Sequence, residues 1–341
     1  MKLLIIFLLL IFIIFIILNK ILNINENYTG LNTDFFKLNL TKNNYIFDEN
    51  KNITKCDING QNCITKNFKY HFNTPESVRL VKNKVETSQL LLNNQLPAPK
   101  YNVVNINNNF NRIVQSNLSK NINYPIIIKP INGTFGIDVY TNIENNEEFN
   151  KIINELKNKK KYDYMMIEEY IQGHVYRVFI FNNKVIDVVQ RERPFVIGNG
   201  NESLSDLINQ RNQKLVQDKL FPTKNISSNL IKKQGYTMNS IISNNQIVYI
   251  SDVINMHNGA ILKRIDLQSI PRNNIDLFVN VAKILKINCC GIDYISKDIT
   301  KDFNNNKNVI LEVNGTPDTE IHTKLNNYGN YFFENVVNNI F

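Results

Sequence analysis

Val309-Ile310-Leu311-Glu312-Val313-Asn314-Gly315-Thr316-Pro317 reads as an apolar strand ending in two oxygen-bearing side chains spaced two apart. Side chains at i and i+2 of a strand point the same way, so Glu312 and Asn314 face one cavity. Asp293 lies in a second apolar segment, Cys289-Cys290-Gly291-Ile292-Asp293-Tyr294-Ile295, and strand pairing would bring its carboxylate to the same spot. Three oxygen donors of this kind suit Mg2+ (or Mn2+), an ion that keeps some of its water and holds substrate phosphates. A nucleotide is therefore the partner to seek upstream. Without one, the same residues describe a strand with two solvated polar side chains.

The chain has 341 residues, 43% of them hydrophobic, which is room for a real core in one large domain or two to three small ones. Its abundance of Asn, Ile and Lys fits an AT-rich coding sequence, and the Asn clusters read as loops. The formal charge of +9 suits an anionic small substrate or a membrane surface. The lysines are scattered, the longest run is Lys159-Lys160-Lys161 and Trp is absent, so no nucleic-acid partner is expected. Four cysteines are too few, and wrongly spaced, for a disulfide scaffold or a zinc site. Cys289 and Cys290 read as core, while Cys56 and Cys63 either pair or stay free.

Leu3 to Leu18 form an unbroken apolar run bounded by Lys2 and Asn19-Lys20. At about 1.5 Å per residue the run reaches roughly 24 Å against a bilayer core of about 30 Å, and Lys20 can snorkel. No small-residue cleavage site precedes Thr29-Gly30, so residues 1–22 are expected to be an uncleaved single-pass membrane anchor. The flanking charges give almost no positive-inside bias. Sequons at Asn132 and Asn314 fall inside motifs assigned below to nucleotide and metal, which favours the cytoplasmic side for the main domain. Residues 23–74 are polar and Asn-rich and read as a stalk or short capping element. The sequence leaves assembly into a homo-oligomer open.

Order begins at Thr74-Pro75-Glu76, and Ser77 to Asn93 reads as a helix carrying Lys84, with Thr74 as its cap and Pro75 in its first turn. A strand follows at Tyr101 to Val104, then a polar helical stretch to Asn123. Tyr124 to Lys129 is a buried strand ending on a lysine. The turn Asn132-Gly133-Thr134-Phe135-Gly136-Ile137-Asp138 can bring backbone N–H groups to an anion. A helix around Glu147 to Leu156 and a strand at Tyr164 to Ile167 complete a small α+β unit. Glu168-Glu169-Tyr170-Ile171 then reads as a hinge offering backbone hydrogen bonds to an adenine edge, with Met and Ile side chains of Met165-Met166-Ile167 against the ring. Val175 to Phe181 and Lys184 to Gln190 form a hairpin through Asn182-Asn183. Strands near Met238 to Ser243, Gln246 to Val253, Cys290 to Ile295 and Val309 to Val313 are expected in one larger sheet. Helices at Leu204 to Asn212, Asn274 to Leu285 and Tyr331 to Ile340 would cover it.

Taken in order, Lys84, Lys129, a glycine loop, the hinge, then Asp293, Glu312 and Asn314, these motifs resemble an ATP-grasp enzyme. Over roughly residues 75 to 341 the chain is similar to the ATP-grasp module of cyanophycin synthetase and the bifunctional glutathione synthetases. The likeness is carried by "VKNKVETSQLLLNNQLPAPKY", "PIIIKPINGTFGIDV", "IEEYIQGHVYRVFIFNNKVIDVVQRERPFVIGNGNESLSDLINQRN", "CGIDYISKDI" and "LEVNGTPDTEIHTKLNNYGNYFFENVVNNIF".

The resemblance implies an α+β, ATP-grasp fold, with two α+β lobes at about 100–171 and 172–341 clasping ATP, preceded here by the transmembrane helix. It implies that Lys84 and Lys129 hold phosphates and that the loop around Gly133, Thr134 and Gly136 closes over them. Glu168, Glu169 and Ile171 would line the adenine site, and Asn255 would stand near the phosphates. Asp293, Glu312 and Asn314 would bind Mg2+ (or Mn2+). Arg177 and Arg193 would stabilise the transferring phosphoryl group and the tetrahedral intermediate, with Gly198, Gly200 and His322 toward the substrate. The implied activity joins a small-molecule carboxylate and an amine, an amino acid or peptide, through an acyl phosphate and without a covalent residue. Three departures stand out. Val175 replaces an acidic residue expected at the ribose, Asp138 replaces a loop glycine, and Ala260 breaks a glycine pair. A nucleotide-binding module without ligation and a membrane-tethered interaction protein are the rival readings.

Overall fold

The computed structural model describes residues 45–47, 52–56, 63–67, 73–106, 122–132, 137–305, 307–323, 331–332, 335–336 and 339. The apolar run of residues 3–18 and the glycine loop at 133–136 lie outside them. Among the described residues no helix is long and apolar enough to cross a membrane.

Three short strands, β1 (Tyr45–Phe47), β2 (Asn52–Cys56) and β3 (Cys63–Asn67), form an antiparallel meander within the segment expected as a stalk. Its register sets Cys56 opposite Cys63. The expected helix over 77–93 is two helices, α1 (Pro75–Lys82) and α2 (Lys84–Asn93). Thr74 caps α1 by accepting the Ser77 N–H, with Pro75 in the first turn. Asn83 divides the pair: it leaves helical geometry at ψ 102° and its side chain accepts the N–H groups of Val85 and Glu86. Asparagine competes with the helix for such bonds, and here it wins.

The small lobe comprises β4 (Tyr101–Asn105), β5 (Ile126–Pro130), β6 (Tyr140–Ile143), α3 (Asn146–Lys159) and β7 (Tyr164–Glu169). The strands form an antiparallel sheet ordered β4-β7-β5-β6. Ile126, Ile128, Met165 and Ile167 pack with Phe149, Ile153 and Leu156 of α3 in one core. Strand alternation then turns Ile127, Lys129 and Glu168 to the opposite face. Glu168 and Glu169 belong to β7 rather than to the hinge, because Glu168 pairs with Tyr101 and Ile127 and Glu169 with Ile126.

Next come β8 (His174–Phe181) and β9 (Lys184–Glu192), whose connecting Asn182 and Asn183 both have positive φ, 47° and 60°. That is the two-residue turn expected from an Asn-Asn pair, since both positions need the left-handed region. β10 (Phe195–Ile197), α4 (Leu204–Gln217), α5 (Ser228–Lys233) and β11 (Ile247–Tyr249) make a separate unit with its own core of Val196, Leu204, Ile208, Ile231 and Val248. This corrects two expectations. Residues 238–243 form no strand, only an isolated bridge between Ser203 and Ile241, and β11 pairs with β10 rather than joining the larger sheet. Hydroxyl groups take local turn bonds there, as where Ser240 Oγ accepts the Thr237 N–H at 2.9 Å, and these displace ladder bonds.

The chain closes with β12 (Ile261–Ile265), α6 (Arg272–Ile284), β13 (Cys289–Ser296), β14 (Val309–Asn314) and the short α7 (Glu320–Thr323). The large sheet is antiparallel and ordered β12-β9-β8-β13-β14. Tyr176, Val178, Ile180, Ile292 and Tyr294 pack with Val81, Leu91, Phe278 and Val281 from α1, α2 and α6. The alternate residues, Arg177 and Asp293 among them, face the other way. Cys289 and Cys290 are buried, as expected of core thiols.

One side chain ties the start of α1 to this sheet. Asn73 is 2% exposed; its Nδ2 donates to the carbonyls of Cys289 at 2.6 Å and Gly315 at 2.8 Å. Its Oδ1 accepts the N–H groups of Asn288 at 2.9 Å and Cys289 at 2.8 Å. Asn73→Ala leaves these buried backbone groups without that partner, so unfolding should require at least about 2 kcal/mol less. Thermal melting should show a midpoint several degrees lower, with no change in far-UV circular dichroism at 25 °C.

Candidate active site

A cleft of about 800 Å³ is lined by residues of both sheets. On its large-sheet side the register places Asp293 directly opposite Glu312 on β14 and Arg177 on β8, with Gly291 opposite Asn314. Asp293, Glu312, Asn314 and Arg177 therefore share one face, and all four line the cleft.

Both acids of this row, and Glu168 across the cleft, meet a cation. Lys84 Nζ lies 3.0 Å from Glu312 Oε1, and Lys129 Nζ lies 2.7 Å from Glu168 Oε2. Asp293 Oδ1 faces two guanidinium groups, Arg177 Nε at 3.2 Å and Arg191 Nη2 at 2.8 Å. Burial pushes the Asp293 carboxyl up, but Arg177 and Arg191 together outweigh it and hold it below its ordinary value. Burial dominates at Glu168, whose carboxyl is raised despite Lys129. Lys84 reaches the row because Gly315 lets α1 lie close against the end of β14: a Cβ there would stand 2.9 Å from Val81 Cγ2.

Arg191 is the functional-site residue that the sequence reading passed over. It stands opposite Val175 on β8, two positions from Arg177, so strand alternation puts both arginines on the cleft face. The phase of β9 relative to β8 was the available signal. Arg193 also lines the cleft, 3.9 Å from Asp252. Ile171 and Asn255 line it as well, and Asn255 Oδ1 accepts the His257 N–H. Gly133, Thr134 and Gly136 lie outside the described residues.

Four expectations are corrected by position. The Glu169 carboxylate is turned to the Lys100 N–H at 3.0 Å and to Lys307 at 2.7 Å, away from the cleft lining. The apolar lining comes from Ile127, Ile171, Ile295 and Leu311 rather than from Met165-Met166-Ile167. Gly198 and Gly200 hold a turn outside the cleft, where a Cβ on Gly198 would meet Ser243 O at 2.1 Å and Gly200 has φ 80°. The His322 side chain is fully buried, with Nδ1 2.9 Å from Asp187 Oδ2 and its ring stacked on Phe332, so it serves the core under β9.

Two departures from the expected pattern acquire physical form. Val175 lines the cleft and contributes apolar surface beside Ile171 and Ile295. Asp138 holds the left-handed φ of 55° that a glycine would take, and its carboxylate is anchored by Tyr162 Oη at 2.6 Å and by Lys159 and Lys161 at 3.0 Å.

Oxygen donors on one face of paired strands, flanked by lysine and arginine, fit Mg2+ or Mn2+ with nucleotide phosphates. Residues 81–195 match the RimK-like ATP-grasp domain family. That match makes residues 81–195 a RimK-like ATP-grasp domain, and the α+β fold is that of ATP-grasp proteins. It is similar to the cyanophycin synthetase of Synechocystis sp., 29% identical over 208 residues, covering 58% of this chain and 24% of that one. It is also similar to the glutathione biosynthesis bifunctional protein of Clostridium perfringens, 24% identical over 255 residues, covering 71% and 32%. Among solved structures, a bifunctional glutathione synthetase from Pasteurella multocida superposes with TM-score 0.56 at 19% identity, covering 88% of this chain and 42% of that chain. The chain thus spans about a quarter to a third of the length of these curated relatives. ATP-grasp ligases use ATP with Mg2+ or Mn2+, in agreement with the cofactors expected from the sequence.

The Asp138 anchor gives a pH prediction. The Tyr162 hydroxyl first, then Lys159 and Lys161, hold its carboxyl at about 2, below the ordinary 3.8. A depressed folded value stabilises above the unfolded value and is lost as pH falls through the folded one. Wild type should therefore lose stability between about pH 4 and pH 2 more steeply than Asp138→Asn, which keeps the shape and tolerates positive φ. Chemical denaturation across that window measures the difference.

Proposed function

We propose that the protein is an ATP-dependent carboxylate–amine ligase that forms an amide or peptide bond through an acyl phosphate. The row of Arg177, Asp293 and Glu312 beside Lys84 and Lys129 is the observation that carries this reading. A fixed, interleaved set of acids and cations meets the needs of phosphoryl transfer, in which the protein supplies position and charge rather than a nucleophile.

Lys129 would exchange its bond to Glu168 for a phosphate oxygen, and Lys84 would release Glu312 in the same way, so neither ammonium is ever uncompensated. Mg2+ held by Asp293, Glu312 and Asn314 would supply Lewis-acid charge neutralisation at the transferring group. Arg177 and Arg191, freed in part from Asp293, would face the phosphoryl group and then the tetrahedral intermediate, and the more exposed Arg193 would meet substrate at the mouth. Ile127, Ile171, Ile295 and Leu311 would exclude water from the base. Relatives that make cyanophycin or glutathione extend far beyond the matched region, so the carboxylate and amine here are assigned only as amino acids or peptides. The apolar run of residues 3–18 supports a membrane tether, with the ligase domain on the ATP-containing cytoplasmic side.

ADP release from Mg-ATP with pooled amino acids and dipeptides tests the reading. Release should require both a carboxylate and an amine and should fall at least about 10²-fold in Glu312→Ala, which removes a donor to the transferring group's counter-ion. ATP hydrolysis indifferent to both substrates would point instead to a nucleotide-binding module without ligation.

A further inference from the structure

The segment 251–259 forms one wall of the cleft, to which it contributes Asp252, Val253, Ile254, Asn255 and His257. Asn255 closes its turn. The side-chain Oδ1 accepts the His257 N–H at 2.9 Å, and the backbone carbonyl accepts the N–H groups of Asn258 at 2.9 Å and Ala260 at 3.1 Å. Because only the carboxamide oxygen can accept an N–H, that bond also settles the orientation of the amide and leaves Nδ2 as a donor. Among the described residues Nδ2 makes no hydrogen bond. On its cleft side the wall meets Asp318 through His257 Nε2 at 2.8 Å, a contact open to solvent.

A firmer grip comes from behind the wall, from α4. Arg211 donates from Nη1 to Thr223 Oγ1 at 2.8 Å and from Nη2 to Gly259 O at 2.6 Å. Its neighbour Asn212 donates to the Thr223 carbonyl at 3.1 Å and accepts the Thr223 N–H at 2.8 Å. Asn258, 4% exposed, accepts the N–H groups of Lys224 and Asn225 and donates to Ser251 Oγ at 2.9 Å. Gly259 has φ 70°, and a Cβ there would stand 2.5 Å from Thr223 Oγ1, so the two segments meet at backbone contact. Among the described residues no carboxylate lies within ion-pair distance of Arg211, and burial holds its guanidinium below the ordinary value. A half-buried charge with neutral acceptors alone is a costly strut, but its planar fork fixes two acceptors at once.

We propose that Arg211 is a positioning residue: by gripping Thr223 and Gly259 it sets the 251–259 wall so that Asn255 Nδ2 donates to an oxygen that gains negative charge during the reaction. This rests on the ligase reading above, which supplies that oxygen on the transferring phosphoryl group or the tetrahedral intermediate. Arg211 does not line the cleft, so its effect passes through the wall. A fixed neutral donor contributes most where charge develops, and a misplacement of about 1 Å, even from a change far from the chemistry, can cost about 10²-fold. The unit built on α4 is thereby coupled to turnover at the row of Arg177, Asp293 and Glu312.

A double-mutant cycle between Arg211 and Asn255 tests this on the full-length protein, read as ADP release from Mg-ATP with pooled amino acids and dipeptides. Arg211→Met and Asn255→Ala should each lower turnover at saturating ATP at least about 10-fold while the KM for ATP moves less than about 3-fold, the mark of an interaction made in the transition state. The double variant should be no slower than the slower single one, because the two residues act as a unit. Melting curves show which variants fold. Should Arg211→Met fail to fold, the cycle is run with Arg211→Lys, which keeps the charge, loses the fork and should show a smaller loss of the same kind. A double variant slowed by the product of the two single losses, or an Arg211 variant that turns over like wild type, overturns the assignment. ADP release by wild type that requires neither carboxylate nor amine sinks the ligase reading, while the cycle still reads the positioning on hydrolysis. No release by wild type sinks both.

Discussion

Strand alternation along β13 is the constraint from which the rest of the structure follows. Ile292 and Tyr294 point into the core beneath α6, so Asp293 between them must point out of it. β13 lies between β8 and β14, and the antiparallel register on either side delivers Arg177 and Glu312 to the same row. A slip of one residue would send Asp293 into an apolar core and Ile292 into the cleft, at a cost on both faces. Packing and site geometry are thus fixed by the same residues. Asn73 and Gly315 extend that control to the helices, docking α1 on β14 and so bringing Lys84 to Glu312.

Charge compensation is the second organising feature. Lys129, Glu168 and Asp293 are each at most 8% exposed, a placement that an isolated charge would not tolerate. Each is paired within 3.2 Å, so the cleft is preorganised before any anion arrives. In the proposed nucleotide site the pairs would also be exchangeable, since an incoming phosphate and divalent ion would offer every member a partner of the same sign as the one it gives up. That arrangement keeps the cost of burial from rising when the ligand leaves.

Much of this was legible in the sequence where periodicity and chemistry coincide. Glu312 and Asn314, two apart on an apolar run, and Asp293 in another, imply a shared face without any structure. Thr74-Pro75 and Asn182-Asn183 announce a cap and a turn because their backbone requirements are local. Other features were hidden for physical reasons. Arg191 needed the register of β9 against β8, which is a long-range property. Asn83 breaks a helix that its flanking leucines would sustain, and residues 238–243 lose their ladder to side-chain turn bonds. His322 sits close in sequence to the cleft-lining Asp318 yet points into the core, because Asp187, Phe179 and Phe332 receive it there.

The most direct measurement is a crystal structure of the full chain with Mn2+ and a non-hydrolysable ATP analogue, with the ion located by its anomalous scattering. The ion should lie among Asp293, Glu312 and Asn314, bridged to phosphate oxygens, with Lys84 and Lys129 moved from their carboxylates onto the phosphates. Manganese at His257 and Asp318 instead, or phosphates bound away from Lys129, would contradict the assignment of this row as the nucleotide site.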